Sequence, residues 1–140
     1  MTGCAHSAPL LLVRGVEEFN AGVYFKCHET LEELWVEEPN SVRELYQGIL
    51  QVGVGLYKLG RNEYRGAVKL LGSGVGHLMP FAPVCQGVDV AALIVEADRV
   101  REALEALGPD RMHELDRRLV PRVRWAADLP LAGGRIDRPS

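Results

Sequence analysis

The stretch of sequence best equipped for chemistry is FKCHETLEELW, residues 25–35. It contains His28 and, four positions later, Glu32, a spacing that brings two side chains together on one face of an α-helix. Trp35 falls on the same face. An imidazole, a carboxylate and an indole N–H can bind a metal ion, transfer a proton or hydrogen-bond a ligand. These three residues are therefore the candidate site.

A helical wheel predicts that this site faces the protein interior. At 100° per residue, Glu32 lies about 40° from His28, inside an arc of aromatic and leucine side chains, whereas Glu33 lies near 140°. Because an unpaired buried carboxylate is costly, Glu32 must be paired, metal-bound or at the mouth of a cleft. The other side chains predicted to belong to the site are Tyr24, Glu29, Gln47 and Gln51.

A divalent metal ion is one interpretation of the site. A histidine nitrogen and a carboxylate oxygen four residues apart can hold one Zn²⁺, Mn²⁺ or Fe²⁺ ion. Two ligands are too few for a protein site, and Glu32 stands where zinc proteases have a second histidine. The spare candidate ligands are scattered along the chain: Cys27, Glu29, Gln51 and His77.

Three further interpretations remain open. The first is proton transfer by His28, oriented by Glu32, although no serine or cysteine nucleophile is coupled to the pair, so the sequence does not decide whether the protein is an enzyme. The second is a binding groove with Tyr24 and Trp35 at its floor. The third is a non-catalytic interaction module in which the His/Glu/Trp cluster is a structural polar network.

Composition indicates a soluble protein of a reducing compartment. The 140 residues are 47% hydrophobic and 25% charged, with a net charge of −3 that offers no basic surface for nucleic acid. Three cysteines, Cys4, Cys27 and Cys85, without a CxxC pair, argue against a secreted disulfide framework. The start lacks the features of a signal peptide, and no apolar tract is long enough to span a bilayer. We expect a cytoplasmic protein that binds neither nucleic acid nor membrane and can form homo-oligomers.

The elements that would position the site are helices. Hydrophobic periodicity predicts an all-α, compact bundle of two antiparallel helical hairpins followed by C-terminal helices. The expected spans are a first helix ending near residue 20, then 23–37, 41–59, 62–77, 89–107 and 110–120, with a loop over 80–88. The residues expected to cap helices are Ser41 with Glu44, Asn62 and Asp89. Residues 1–125 are predicted to form one domain, and 126–140 a flexible tail.

The third helix is expected to lie at the centre of the bundle. It is apolar on two sides, which is typical of a central helix. Between these sides runs a narrow stripe in which Gly48 and Gly55 would let another backbone approach. The pattern helix, glycine turn, helix also occurs twice, with Gly22 and Gly60 at the two turns.

Two segments, FNAGVYFKCHETLEELW and LYQGILQVGVGLYKLGRNEYRGAVKLL, resemble a family of short bacterial and archaeal proteins, domain of unknown function 309. The family's hallmark is His-x-x-x-Glu-x-x-Trp/Tyr, matched here by His28, Glu32 and Trp35. The resemblance covers roughly residues 16–80. It implies an all-helical fold and a motif suggested to bind metal, with no established activity.

Overall fold

The computed structural model describes residues 3–126, which fold into five α-helices, with one short β-hairpin between the fourth and the fifth. Each helix packs against the next along the chain, so that α1–α2 and α3–α4 are helical hairpins and α5 covers α4. The prediction of an all-α bundle is confirmed. The helices are α1 (Leu10–Asn20), α2 (Tyr24–Glu37), α3 (Arg43–Gly60), α4 (Tyr64–Leu78) and α5 (Val90–Leu107). The strands are β1 (Val84–Cys85) and β2 (Val88–Asp89).

The contact between α3 and α4 depends on glycines. A Cβ atom added to Gly74 would lie 2.7 Å from Val52 Cγ2 and 3.0 Å from the carbonyl oxygen of Gly48. One added to Gly55 would lie 3.3 Å from the carbonyl oxygen of Ala67. The two backbones therefore approach each other without a side chain between them. Since α3 also packs against α2, its predicted central position is confirmed.

The two helical hairpins repeat one contact. In the first hairpin a Cβ atom at Gly15 would collide with the side chain of Leu31, and in the second a Cβ atom at Gly55 would press on Leu71. The turns correspond as well, because they share two equivalent backbone hydrogen bonds and each contains one residue with positive φ. That residue is Gly22 in the first turn but Asn62, not Gly60, in the second.

The β-hairpin binds both ends of the described segment. Its turn has positive φ at Gln86 and Gly87, as a two-residue hairpin turn requires. The N–H of Gln86 donates to the carbonyl of Cys4, and the N–H of Ala126 donates to the carbonyl of Gly87. A disulfide joins Cys4 to Cys85. The interpretation that the cysteine pattern argues against a secreted disulfide framework is therefore wrong, and the cysteines no longer support the predicted cytoplasmic location.

Several local predictions also differ from the structure. The Ser41 capping box does not form, because α3 begins after Val42 and the carboxylate of Glu44 contacts His77 instead. Asn62 forms the turn before α4 rather than its cap. Two single 3₁₀ turns, Met112–Glu114 and Arg117–Leu119, replace the predicted helix over 110–120. The cap at Asp89 is confirmed by its hydrogen bond from the Ala92 N–H.

The predicted flexible tail, 126–140, lies outside the described residues except for Ala126, which is buried. None of the helices within residues 3–126 has the length and apolar character needed to cross a membrane.

Two glycines of α4 provide a direct test of the helix contact. We expect Gly74→Ala to lower the free energy of unfolding by about 1–3 kcal/mol, because its methyl group has no room against α3. Gly76→Ala is the control, since nothing lies within 4 Å of its added Cβ, and it should stabilise α4 by up to about 1 kcal/mol. Urea unfolding measures both. Equal effects of the two substitutions would contradict the close approach of the two backbones.

The disulfide predicts a second stability difference. Cys4→Ser removes the cross-link at its more exposed end and leaves buried Cys85 in the core. We expect it to lower the free energy of unfolding by about 2–4 kcal/mol, the typical effect of a cross-link that closes a long loop. Wild-type protein treated with a dithiol reductant should unfold like the variant. If wild type and variant were equally stable without reductant, the bond would contribute nothing.

Candidate functional site

The candidate residues lie on α2, but the buried face of this helix is not the predicted one. The side chains that enter the core are Cys27, Thr30, Leu31 and Leu34. This face is rotated by roughly 110° from the arc centred on His28. The wheel is misleading because Phe25, which it places in the interior, is 61% exposed.

His28 and Glu32 therefore meet at the surface. His28 Nε2 lies 3.8 Å from Glu32 Oε1, and their side chains are 34% and 57% exposed. The pair of neighbours is as predicted, whereas the predicted burial of Glu32 is wrong. An exposed ion pair of this kind contributes little to stability, and this one is charged on both sides only when the imidazole is protonated.

His28 also borders a groove between α2 and α3. The groove has a volume of about 210 Å³ and is lined by Tyr24, Phe25, His28, Val54, Tyr57 and Lys58. The ring of Phe25 lies 6.3 Å from that of His28 and 6.3 Å from that of Tyr57. Three aromatic rings thus border an open, largely apolar depression that has an imidazole at its edge.

The polar groups of the groove differ in their freedom to contact a ligand. Burial raises the pKa of Tyr24, so its phenol remains a hydrogen-bond donor at neutral pH. Lys58 is already engaged, because its Nζ lies 3.0 Å from Glu63 Oε1. The guanidinium of Arg61 lies over the Tyr57 ring and also contacts Glu63. The phenol of Tyr57 interacts with Arg61 as well. His28 and Tyr24 are therefore the groove residues whose polar groups can offer a new contact.

Trp35 lies outside this groove. Its ring is covered by the guanidinium of Arg43, whose Cζ is 4.0 Å from the ring centroid. The indole Nε1 is buried, and within residues 3–126 it has no hydrogen-bond partner. The predicted groove with Tyr24 and Trp35 as its floor is therefore divided, with Tyr24 in the groove and Trp35 at a separate contact.

The other predicted site residues are dispersed. Gln51 accepts a hydrogen bond from Ser73 of α4, and the Nδ1 atom of His77 lies 2.9 Å from Glu44 Oε1. Gln47 is half-buried and makes no hydrogen bond with Glu32 in the described part of the chain. Glu29 is exposed. Among residues 3–126, no group of three or more histidine, cysteine, aspartate or glutamate side chains is placed to hold a metal ion.

Cys27 is next to His28 in sequence but does not act as a nucleophile in this arrangement. Its thiol is fully buried in the core. Burial, together with the nearby charge of Glu18, raises its pKa to about 12. The thiol stays protonated and inaccessible at neutral pH, whereas the reactive form of cysteine is the exposed thiolate.

Sequence reasoning missed the α3 residues of the groove. Val54 and Tyr57 belong to one apolar side of α3, a pattern that predicts core residues. A usable signal is nevertheless present, because the short turn between α2 and α3 makes them antiparallel and brings the last turns of α3 opposite the start of α2. Phe25 and Tyr57 are then neighbours, and both side chains remain partly exposed at the surface.

Comparison with known proteins identifies the region that contains these residues. Residues 12–70 match the family model described as domain of unknown function (DUF309). The resemblance to this family is confirmed for these residues, which make up less than half of the chain. The DUF309 match extends from α1 into α4 and includes both sides of the groove as well as Trp35 and Arg43.

A relative from Bacillus subtilis (strain 168), named "Uncharacterized protein YpuF", is 33% identical over 87 residues. The alignment covers 60% of this chain and 50% of the relative, so the chain spans about half the length of the curated relative it matches. The name of that relative states no activity, substrate or partner.

The surface position of Glu32 leads to a direct comparison on α2. We expect Glu32→Ala and Glu33→Ala to change the free energy of unfolding by amounts within about 0.5 kcal/mol of each other, because both carboxylates are exposed. Thermal or urea unfolding at pH 7 measures the difference. A much larger loss for Glu32→Ala would show that this carboxylate is enclosed and has a buried partner.

Proposed function

We propose that the protein is a binding module whose α2–α3 groove takes a small apolar or aromatic group, with His28 supplying a polar contact. The observation that carries this proposal is the groove itself, an apolar depression of about 210 Å³ bordered by Phe25, His28 and Tyr57. Ligand sites are typically concave, mostly apolar and equipped with a few convergent polar groups.

The size and lining of the groove define the class of ligand. A space of about 210 Å³ suits one ring, or one side chain of a partner, rather than a drug-sized molecule. Aromatic rings pack against such a group edge-on or offset and gain about 0.5–1.5 kcal/mol beyond area burial. An exposed Phe25 beside a half-exposed Tyr57 is apolar surface that a ligand would remove from water.

The divalent-metal interpretation fits this arrangement less well. His28 and Glu32 supply two suitable donor atoms 3.8 Å apart. A protein metal site needs at least three ligands, and three spare candidates point elsewhere: Cys27 into the core, Gln51 to Ser73 and His77 to Glu44. The fourth, Glu29, completes no group of three such side chains within residues 3–126. The donor set therefore does not fit a closed site, and no reaction is derived through a metal.

The groove also modifies the predicted non-catalytic interaction module. In that alternative the cluster of His28, Glu32 and Trp35 is a structural network, which requires buried and mutually bonded side chains. The exposure of His28 and Glu32 instead favours a surface role, in which Glu32 lies beside an imidazole that faces a ligand.

Binding of simple ring compounds tests the proposal. Phenol and toluene have nearly the same shape, but only phenol has a polar group. We expect both to bind in the groove, phenol more tightly, as measured by ligand-observed NMR titration. Phe25→Ser should weaken both at least tenfold, since it removes one wall of the groove. His28→Gln should reduce only the preference for phenol.

A matched control comes from the same helix. Val36 is 66% exposed on α2 and does not line the groove, so Val36→Ser changes exposed apolar surface without touching the site. It should bind both compounds as wild type does. If neither compound bound saturably, or if Phe25→Ser and Val36→Ser had the same effect, the groove would not be a binding site.

A further inference from the structure

Two unpaired donors lie together where α2 ends and α3 begins. The guanidinium of Arg43 stacks on the indole of Trp35 with 4.0 Å between Cζ and the ring centroid. Trp35 Nε1 and Arg43 Nε are both buried, and neither has a hydrogen-bond partner within residues 3–126. Each of these N–H groups can donate but cannot accept, so both lack the same thing, an acceptor.

Buried donors without a partner are energetically unfavourable, so two of them in one place suggest that a binding partner is missing. Leaving a buried donor unpaired costs about 1–3 kcal/mol, and more for a charged group. Such groups are rare in folded proteins, and where they occur a bound ion or water often completes their hydrogen bonding. Two of them in adjacent side chains point to one shared acceptor.

Electrostatics indicates that the acceptor is an anion. Arg43 is the first residue of α3, an 18-residue helix whose N-terminal end is electropositive. The neighbouring carboxylates are engaged elsewhere, because Glu38 accepts from the Asn40 N–H and Glu44 contacts His77. In the described part of the chain, Arg43 therefore has no carboxylate partner. A guanidinium can bind a planar or tetrahedral oxyanion through two parallel hydrogen bonds.

We infer that Trp35 and Arg43 form a binding site for an oxyanion, a carboxylate or a phosphate group. The guanidinium supplies charge and two or more N–H donors, and the indole N–H supplies one further donor. Because both nitrogen atoms are buried, the anion reaches them when the Arg43 side chain shifts, a rotamer change that is common on binding. This inference does not depend on the proposed groove, since Trp35 lies about 10 Å along α2 from His28.

Tryptophan fluorescence reports on this site directly. The chain has two tryptophans, so Trp125→Phe leaves Trp35 as the single emitter. We expect inorganic phosphate, acetate or both to change its emission saturably, with ionic strength held constant by sodium chloride. Saturation by one of the two anions alone identifies which group the site takes. Arg43→Gln, made in the same background, should weaken binding at least tenfold.

Two further variants separate binding from folding or general charge effects. Arg43→Lys keeps the positive charge but not the planar fork, so it should fold and show intermediate binding. Arg99→Gln removes an arginine of α5, remote from the α2–α3 junction in the chain, and should bind like the parent. A response that is linear in anion concentration, or equal in the Arg43→Gln and Arg99→Gln variants, would overturn the inference. Melting temperatures measured with and without phosphate provide a readout that does not depend on fluorescence.

Discussion

The structure depends on the close approach of α3 to α4. Gly48 faces Gly74, and Gly55 faces Ala67 and Leu71, so at these positions the backbone of each helix comes close to the other. Side chains of the facing helix, Val52, Leu71 and Leu78, pack into the space beside these glycines. The resulting dispersion contacts offset the weak helix propensity of glycine. Because α4 occupies this side of α3, the opposite side of α3 packs against α2. The outer edge of that second contact is where Tyr57 and Val54 meet Phe25 and His28.

The two helical hairpins are built alike but differ in what covers them. Gly15 receives Leu31 just as Gly55 receives Leu71. In the second hairpin, α5 packs over α4. In the first, a short segment near the end of the described chain reaches α1 through hydrogen bonds between Asn20 and Val123. One face of α2 stays exposed as a result, and both candidate sites lie along its edge with α3.

The sequence predicts this fold better than it predicts the site. Strong periodicity makes α3 and α5 predictable, and Asp89 caps α5 as expected. The face of α2 is not predictable in this way, since Phe25 carries the apolar weight of a core residue while lying at the surface. The β-hairpin has strands of two residues, too short for any periodic signal. The Cys4–Cys85 bond and the Glu44–His77 contact join distant parts of the chain, so local spacing could not reveal them.

The disulfide has a topological consequence for both candidate sites. Together with the backbone it closes residues 4–85 into a covalent ring, and α1 to α4 lie within that ring. A single cut by a protease in an interhelical turn would open the ring without separating the two pieces. After such a cut, α2 and α3, which form both candidate sites, would still be covalently linked through the disulfide. Residues beyond Cys85, α5 among them, do not share this protection, and one cut there breaks the covalent link to everything that follows.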